Sequence, residues 1–254
     1  VDIYGIRLDA AGVPLDAVPF AITQGPSAQG NPQVAWNGAM WLVVYESYSV
    51  SGTGIYYQKS LEAVRVSAGG QVLDAKPILL FGIQPSTNDW AVASDGNHWA
   101  VAYQGSVAGT DIMVRRVSST GALLGAAARL LVPATYYMRF RFHLAYAAGV
   151  YLLTWSDNSA TQGIRFDRDL TPLNVTPFNL IGPDLQSLAA NDSGFYAVWH
   201  AQQPDFSMAV VGGRISTAGA LLDGAGVNIS LTHQPIYDST TRVVWDGATW
   251  RVAW

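Results

Sequence analysis

Cysteine is absent from the 254 residues, and two charged residue types are nearly so. There are two Lys (Lys59, Lys76) against twelve Arg, and two Glu (Glu46, Glu62) against sixteen Asp. Without cysteine the chain has no disulfide, no thiolate metal site and no cysteine nucleophile. Lys and Glu are the usual fillers of solvated helix faces, so their scarcity argues against helices. Charged residues make up only 13% of the chain while 50% is hydrophobic. Such a chain can bury enough apolar surface to offset its ordering entropy, which excludes disorder. Long hydrophobic runs are missing too. None approaches the roughly 18 residues of a membrane span, so no membrane insertion is expected, and Val1–Ile6 reads as strand rather than leader. Basic runs are lacking and the formal charge is −4, which speaks against binding nucleic-acid phosphates. What the chain has instead is turn chemistry: 25 Gly and 12 Pro, with many Asn, Asp and Ser.

The second thing it has is a repeat. Five segments align without gaps: Val34–Tyr45, Val92–Tyr103, Leu144–Trp155, Leu188–Trp199 and Val243–Trp254. An aromatic recurs at Trp41, Trp99, Tyr151, Phe195 and Trp250, and another four residues later at Tyr45, Tyr103, Trp155, Trp199 and Trp254. A second half-unit also occurs five times, each copy carrying an arginine: Arg7, Arg65, Arg116, Arg165 and Arg214. Successive arginines are 58, 51, 49 and 49 residues apart, and wrapping from Arg214 back to Arg7 gives 47. The period closes on itself.

Each half-unit reads as a hairpin. In the first, Asn37-Gly38, Asp95-Gly96 and Asp246-Gly247 sit between two apolar β runs, a strong hairpin signal. Ala147-Ala148 and Asn191-Asp192 replace that pair in the third and fourth copies. In the second half-unit, Gly12, Gly70, Gly121 and Gly219 supply the turn, and Leu170 departs from it. Two hairpins per period of about 50 residues make a four-stranded antiparallel meander, the unit of a propeller blade. The expectation is an all-β chain, one five-bladed β-propeller domain over residues 1–254. Its last blade would be closed by the N-terminal hairpin (residues 1–22) pairing with the C-terminal one (residues 240–254).

The strings Asp2-Ile-Tyr-Gly-Ile-Arg-Leu-Asp-Ala-Ala-Gly-Val-Pro-Leu-Asp16 and Pro32-Gln-Val-Ala-Trp-Asn-Gly-Ala-Met-Trp-Leu-Val-Val-Tyr45 resemble the propeller-type repeats of large secreted or surface proteins of bacteria. The resemblance covers essentially the whole chain and implies a scaffold displayed outside the cell or on its surface. By architecture alone the layout is also similar to five-bladed lectins of the tachylectin type and to five-bladed glycosidases.

The repeat also sorts residues into frame and site. Aromatics that recur in every unit at strand spacing fill the space between blades, and the equivalent placement of the five arginines assigns them a structural contact there. Turns inside the half-units are short and uniform, whereas the connections between half-units differ in every blade. Those connections emerge together on the opposite face, where function sits on loops held by a rigid frame. They carry the candidate ligand-binding residues Glu46, Tyr48, Asp89, Trp90, Tyr137, Arg141, Asp157, His200, Tyr237 and Asp238. Aromatic rings that stack on sugar C–H faces, beside acids and an arginine that pair with hydroxyls, suit a carbohydrate. The unequal loops point to one asymmetric site at the channel mouth.

These features favour a non-catalytic, lectin-like module, monomeric, whose partner is a glycan. One alternative is an adhesion or scaffold domain binding a surface protein. Another is a glycoside hydrolase using the Asp and Glu of the mouth, with Glu46, Asp89, Asp157 and Asp238 as the available acids. No motif marks a catalytic residue. His98, His143, His200 and His233 lack ligand spacing and no Asp-rich calcium loop is present, so neither a metal nor a cofactor is expected.

Overall fold

A computed structural model of the chain describes residues 2–50, 57–82, 89–105, 111–132, 140–157, 159–182, 184–204, 206–230 and 240–254. Among these residues every regular element is a β-strand, and every pairing is antiparallel. β1 (Ile3–Gly5) and β2 (Phe20–Thr23) form a two-stranded sheet. A four-stranded sheet follows: β3 (Ala28–Trp36), β4 (Met40–Val50), β5 (Tyr57–Ser67) and β6 (Ile78–Phe81). The next is β7 (Trp90–Ser94), β8 (Trp99–Gln104), β9 (Ile112–Val117) and β10 (Leu123–Val132). Then come β11 (Phe140–Ala147), β12 (Val150–Ser156), β13 (Thr161–Asp167) and β14 (Phe178–Ile181). The last full sheet holds β15 (Leu185–Asn191), β16 (Gly194–Gln202), β17 (Met208–Ser216) and β18 (Val227–Asn228). β19 (Arg242–Trp245) and β20 (Trp250–Ala253) end the chain as a second two-stranded sheet. Within each full sheet the strands lie in chain order, as the meander reading requires.

Among the described residues no strand pairing joins β1–β2 to β19–β20, and each hairpin stands as a two-stranded sheet. The N-terminal hairpin packs on the β3–β6 sheet, with Ile3 against Val43, Tyr45, Val64 and Val66. The C-terminal hairpin lies instead against β15 and β16, with Trp250 stacked on Tyr196 at 5.2 Å between ring centroids.

The turns show why the repeat holds. Trp36 pairs with Trp41, so Asn37-Gly38 lies in a four-residue turn and not a two-residue one. The Asn37 side chain closes it by accepting from the amides of Ala39 and Met40 at 3.1 and 2.9 Å. Asp95, Asn191 and Asp246 do the same work in their units. In the third unit the turn is Ala148-Gly149, both with positive φ (46° and 89°), which matches a two-residue hairpin. At Leu170 a left-handed φ of 63° falls on a non-glycine. Its side chain is buried in the core, which offsets the strain of about 1 kcal/mol or more.

The core lies in layers between successive sheets. Trp99 and Tyr103 fill the layer between the β3–β6 and β7–β10 sheets, Tyr151 and Trp155 the next, and Phe195 and Trp199 the one after. Trp99 is wholly enclosed, and its indole N–H donates to the Ala35 carbonyl of the preceding sheet at 2.9 Å. The recurring arginines knit the outer edge. Arg65 grips Asp74 with its backbone amide and guanidinium (2.6–3.2 Å) and reaches the Ser119 carbonyl of the next sheet at 2.7 Å. Arg7 reaches Ala68 O in the same way, Arg165 reaches Thr217 O, and Arg116 reaches the Asp169 carboxylate. Arg214 holds Asp223, but among the described residues it donates to no further sheet.

Candidate functional site

The first strands of the sheets, β3, β7, β11, β15 and β19, lie side by side in that order. Their opening residues line one cavity of about 660 Å³ that includes Gln33, Asp89, Arg141, His143, Gln186 and Arg242. Volumes of this size take small organic ligands. In an up-and-down sheet the start of strand one faces the end of strand two, so the ends of β4 and β16 bring Glu46 and His200 to the same rim.

Two backbone irregularities aim side chains here. Asn31 and Arg141 both take left-handed conformations (φ 52° and 58°), each three residues before the first aligned repeat position. At both places the register of pairing shifts, and such a bulge re-aims the side chain it carries. Asn31 Nδ2 donates to Glu46 Oε2 at 3.1 Å.

Arg141 bridges two carboxyl groups from different sheets. Its backbone N–H donates to Asp89 Oδ2 at 2.7 Å, and its guanidinium pairs with Asp184. The environments of the two acids differ. Burial pushes the Asp89 carboxyl up from the usual range; the amides of Arg141 and Phe142 work against this, and the Glu46 charge adds to it. Asp184 sits in a cationic and hydrogen-bonding cradle. Besides Arg141, Gln186 Nε2 donates to Oδ1 at 2.7 Å and His200 Nδ1 lies 3.2 Å from Oδ2. His200 is fixed by its other nitrogen, 2.9 Å from Thr241 Oγ1.

Glu46 is almost fully enclosed. It accepts from Asn31 and from the Tyr48 hydroxyl, and Lys59 Nζ lies 3.8 Å from Oε1. Burial and the adjoining Glu46 carboxylate push the Tyr48 phenol up to about 12, so Tyr48 stays a donor at neutral pH. Glu46 is not among the residues that line the cavity, and its charge adds to the upward push on Asp89.

Of the ten expected site residues, Glu46, Tyr48, Asp89, Arg141 and His200 come together at this rim. Trp90 does not: its side chain is buried in the layer with Leu42, Trp99 and Tyr103, and only its carbonyl serves the rim, accepting from Gln33 Nε2 at 2.6 Å. Asp157 closes its own turn, accepting from Ser159 Oγ at 2.7 Å and from the amides of Ser159 and Ala160. Burial works against its charge, yet these bonds hold it below the usual carboxylate range. Tyr137, Tyr237 and Asp238 lie outside the described residues. Sequence reasoning did not select Asp184, Gln186, His143, Thr241 or Arg242. Register could have found them, since each lies within four residues ahead of an aligned repeat position or on it, as Asp89 does.

No protein-family profile and no curated protein matches this chain. Among solved structures it is similar to the catalytic domain of the GH62 α-L-arabinofuranosidase of Coprinopsis cinerea, at 10% identity and a TM-score of 0.47 over 87% of this chain and 78% of that one. It is similar to the GH43_1 enzyme of Xanthomonas citri complexed with xylotriose, at 8% identity and 0.49 over 99% and 84%. It is also similar to a DUF4623 family protein of Bacteroides eggerthii, at 13% identity and 0.49 over 94% and 54%. Likeness at this level assigns no residue a role. It does correct the expectation of a non-catalytic sugar-binding module, because glycoside hydrolases stand among these structures.

Proposed function

We propose that this chain is a glycoside hydrolase on a five-bladed β-propeller, with Asp89 as general acid. The observation that carries the reading is the pair of carboxyls bridged by Arg141. Hydrolysis of a glycosidic bond asks for one carboxyl that holds a proton and another that stays ionised. Asp89 lines the cavity and its burial favours the protonated form. Asp184 is held by Arg141, His200 and Gln186, which fixes the carboxylate that faces a developing oxocarbenium ion. In this reading Asp89 protonates the departing sugar oxygen, Asp184 supplies the ionised carboxylate, and Arg141 sets the geometry of both. Glu46 is a positioning residue, since its charge adds to the burial that favours the Asp89 proton.

The fifth blade in this reading consists of β19, β20, β1 and β2. One observed feature supports it, and two contacts follow from it. The apolar groove of about 440 Å³ beside the N-terminal hairpin is lined by Trp36, Trp41, Val43 and Phe20, surfaces that in the other units meet a neighbouring sheet. Trp41 is the counterpart of Trp99, and Val244 that of Ala35, so the Trp41 indole would donate to the Val244 carbonyl. Arg214 is the counterpart of Arg65, and by the same register it would reach the Ala10 carbonyl. The bacterial repeat resemblance supports an extracellular or surface location.

The test is release of reducing sugar from a panel of purified polysaccharides by the wild type and by Asp89→Asn. General-acid loss lowers turnover by about 10²–10⁴-fold, with an unchanged melting temperature. Equal activity of the two proteins on every cleaved substrate would remove Asp89 from the chemistry, and a wild type that cleaves none would remove the hydrolase reading.

A further inference from the structure

We infer that the sugar taken at the mouth is acidic, a hexuronate whose carboxylate is bound by Arg242 and one of whose hydroxyls donates to Nε2 of His143. This rests on the glycoside hydrolase reading and names its substrate class. The first observation is the setting of Arg242. Six other arginines hold a carboxylate: Arg7 with Asp16, Arg65 with Asp74, Arg116 with Asp169, Arg141 with Asp184, Arg214 with Asp223 and Arg251 with Asp246; Arg165 and Arg168 bond side chains of the frame instead, Asn174 and Tyr146. Arg242 lines the cavity, and among the described residues no Asp or Glu pairs with it. Its Nη1 donates only to two carbonyls, Thr241 O at 3.0 Å and Gln186 O at 3.2 Å. Those two bonds orient Nη1 and, among the described residues, leave its positive charge without a carboxylate, which suits an incoming one.

The second observation is His143, on the neighbouring wall of the same cavity. Its ring faces the Leu185 backbone, which works to raise it, and its Nε2 is buried with no partner among the described residues. Burial, and after it the positive charges of Arg242 and Arg141, hold the imidazole down to about 4. At neutral pH the ring is therefore neutral; with its proton on Nδ1, Nε2 is a bare lone pair, and a buried acceptor left unpaired is costly. It calls for a neutral donor such as a hydroxyl. A ligand that supplies a carboxylate to one wall and a hydroxyl donor to the next is a uronic acid. The acids of the mouth leave room for it: Glu46 faces Lys59 and Asp184 is paired with Arg141.

The experiment is isothermal titration of the Asp89→Asn protein, which binds without turnover. The probes are trigalacturonate and a glucuronate-substituted xylo-oligosaccharide, each beside its carboxyl-reduced counterpart. The expected result is that at least one acidic probe binds about tenfold or more tighter than its reduced form. Adding Arg242→Gln abolishes that gap, and His143→Ala weakens acid and reduced form alike. Equal binding of acid and reduced forms in both pairs overturns the inference and leaves the hydrolase reading to its own assay. A gap that survives Arg242→Gln overturns the assignment to Arg242. If none of the four probes binds and the wild type releases sugar from no polysaccharide, the inference falls together with the hydrolase reading.

Discussion

Trp41 and Trp99 occupy the same place in the repeat, and comparing their loss measures whether the ring closes. Trp99 is wholly enclosed and donates to Ala35 O at 2.9 Å. Its replacement by Ala removes one of the two tryptophans of that layer and leaves the Ala35 carbonyl without its indole donor. Losses of this kind cost about 3–5 kcal/mol, of which the hydrogen bond accounts for about 1 kcal/mol. Trp41 is 38% exposed where it lines the apolar groove. A tryptophan in that partial setting is worth about 1–2 kcal/mol. With β19–β20 seated in the groove, Trp41 becomes an enclosed plug like Trp99, and Trp41→Ala then costs about 3–5 kcal/mol as well. The assay is thermal and urea unfolding of both variants beside the wild type. A chain of this length shifts by about 2–4 °C per kcal/mol, so each variant should melt roughly 6–20 °C early. A Trp41→Ala loss less than half that of Trp99→Ala would refute the closed fifth blade.

Three further outcomes follow from the same contacts. Because the Glu46 charge adds to the burial that raises the Asp89 carboxyl, Glu46→Gln lets Asp89 lose its proton at lower pH; the alkaline limb of kcat/KM against pH moves toward acid, and an unmoved limb would show that the Glu46 charge does not act on Asp89. His143 is depressed to about 4 in the folded chain against about 6.5 when unfolded. The unfolded state then binds the extra proton, so stability falls as pH drops from about 6.5 toward 4, and His143→Gln flattens that part of the urea midpoint profile. Arg65→Met strands a carboxylate and a carbonyl at an edge where Arg65 and Asp74 side chains are 14% and 11% exposed; about 2–4 kcal/mol should be lost, and Asp74→Asn together with it should recover part of the loss in a double-mutant cycle.

How far the sequence reaches is clear from particular residues. The strand-only fold, the two-hairpin unit and the inter-sheet work of Trp99, Tyr151 and Phe195 all follow from spacing, because turn residues and recurring aromatics report local geometry that every copy repeats. The structural duty of the arginines follows as well, although the partners nine residues on, which all but Arg116 have, became visible only in three dimensions. Asp89, Arg141, Glu46, Tyr48 and His200 were legible as loop-face residues since chain direction alone sorts one face from the other. Trp90 and Asp157 were not: one residue of register decides whether an aromatic enters the core, and an Asp beside a Ser caps its own turn.

What only the tertiary structure decided is the meeting of Asp89 with Asp184. They lie 95 positions apart, on sheets with another between them, and Arg141 joins them because a left-handed residue at the head of β11 presents its amide to one and its guanidinium to the other. The same holds for Arg242 and His143, whose free valences matter only because five strand ends converge on one cavity. The sequence by itself determined the repeated unit, since each unit's pattern is satisfied locally. The site depends on long-range placement of residues that do not repeat, and on burial that sets their protonation, neither of which spacing along the chain encodes.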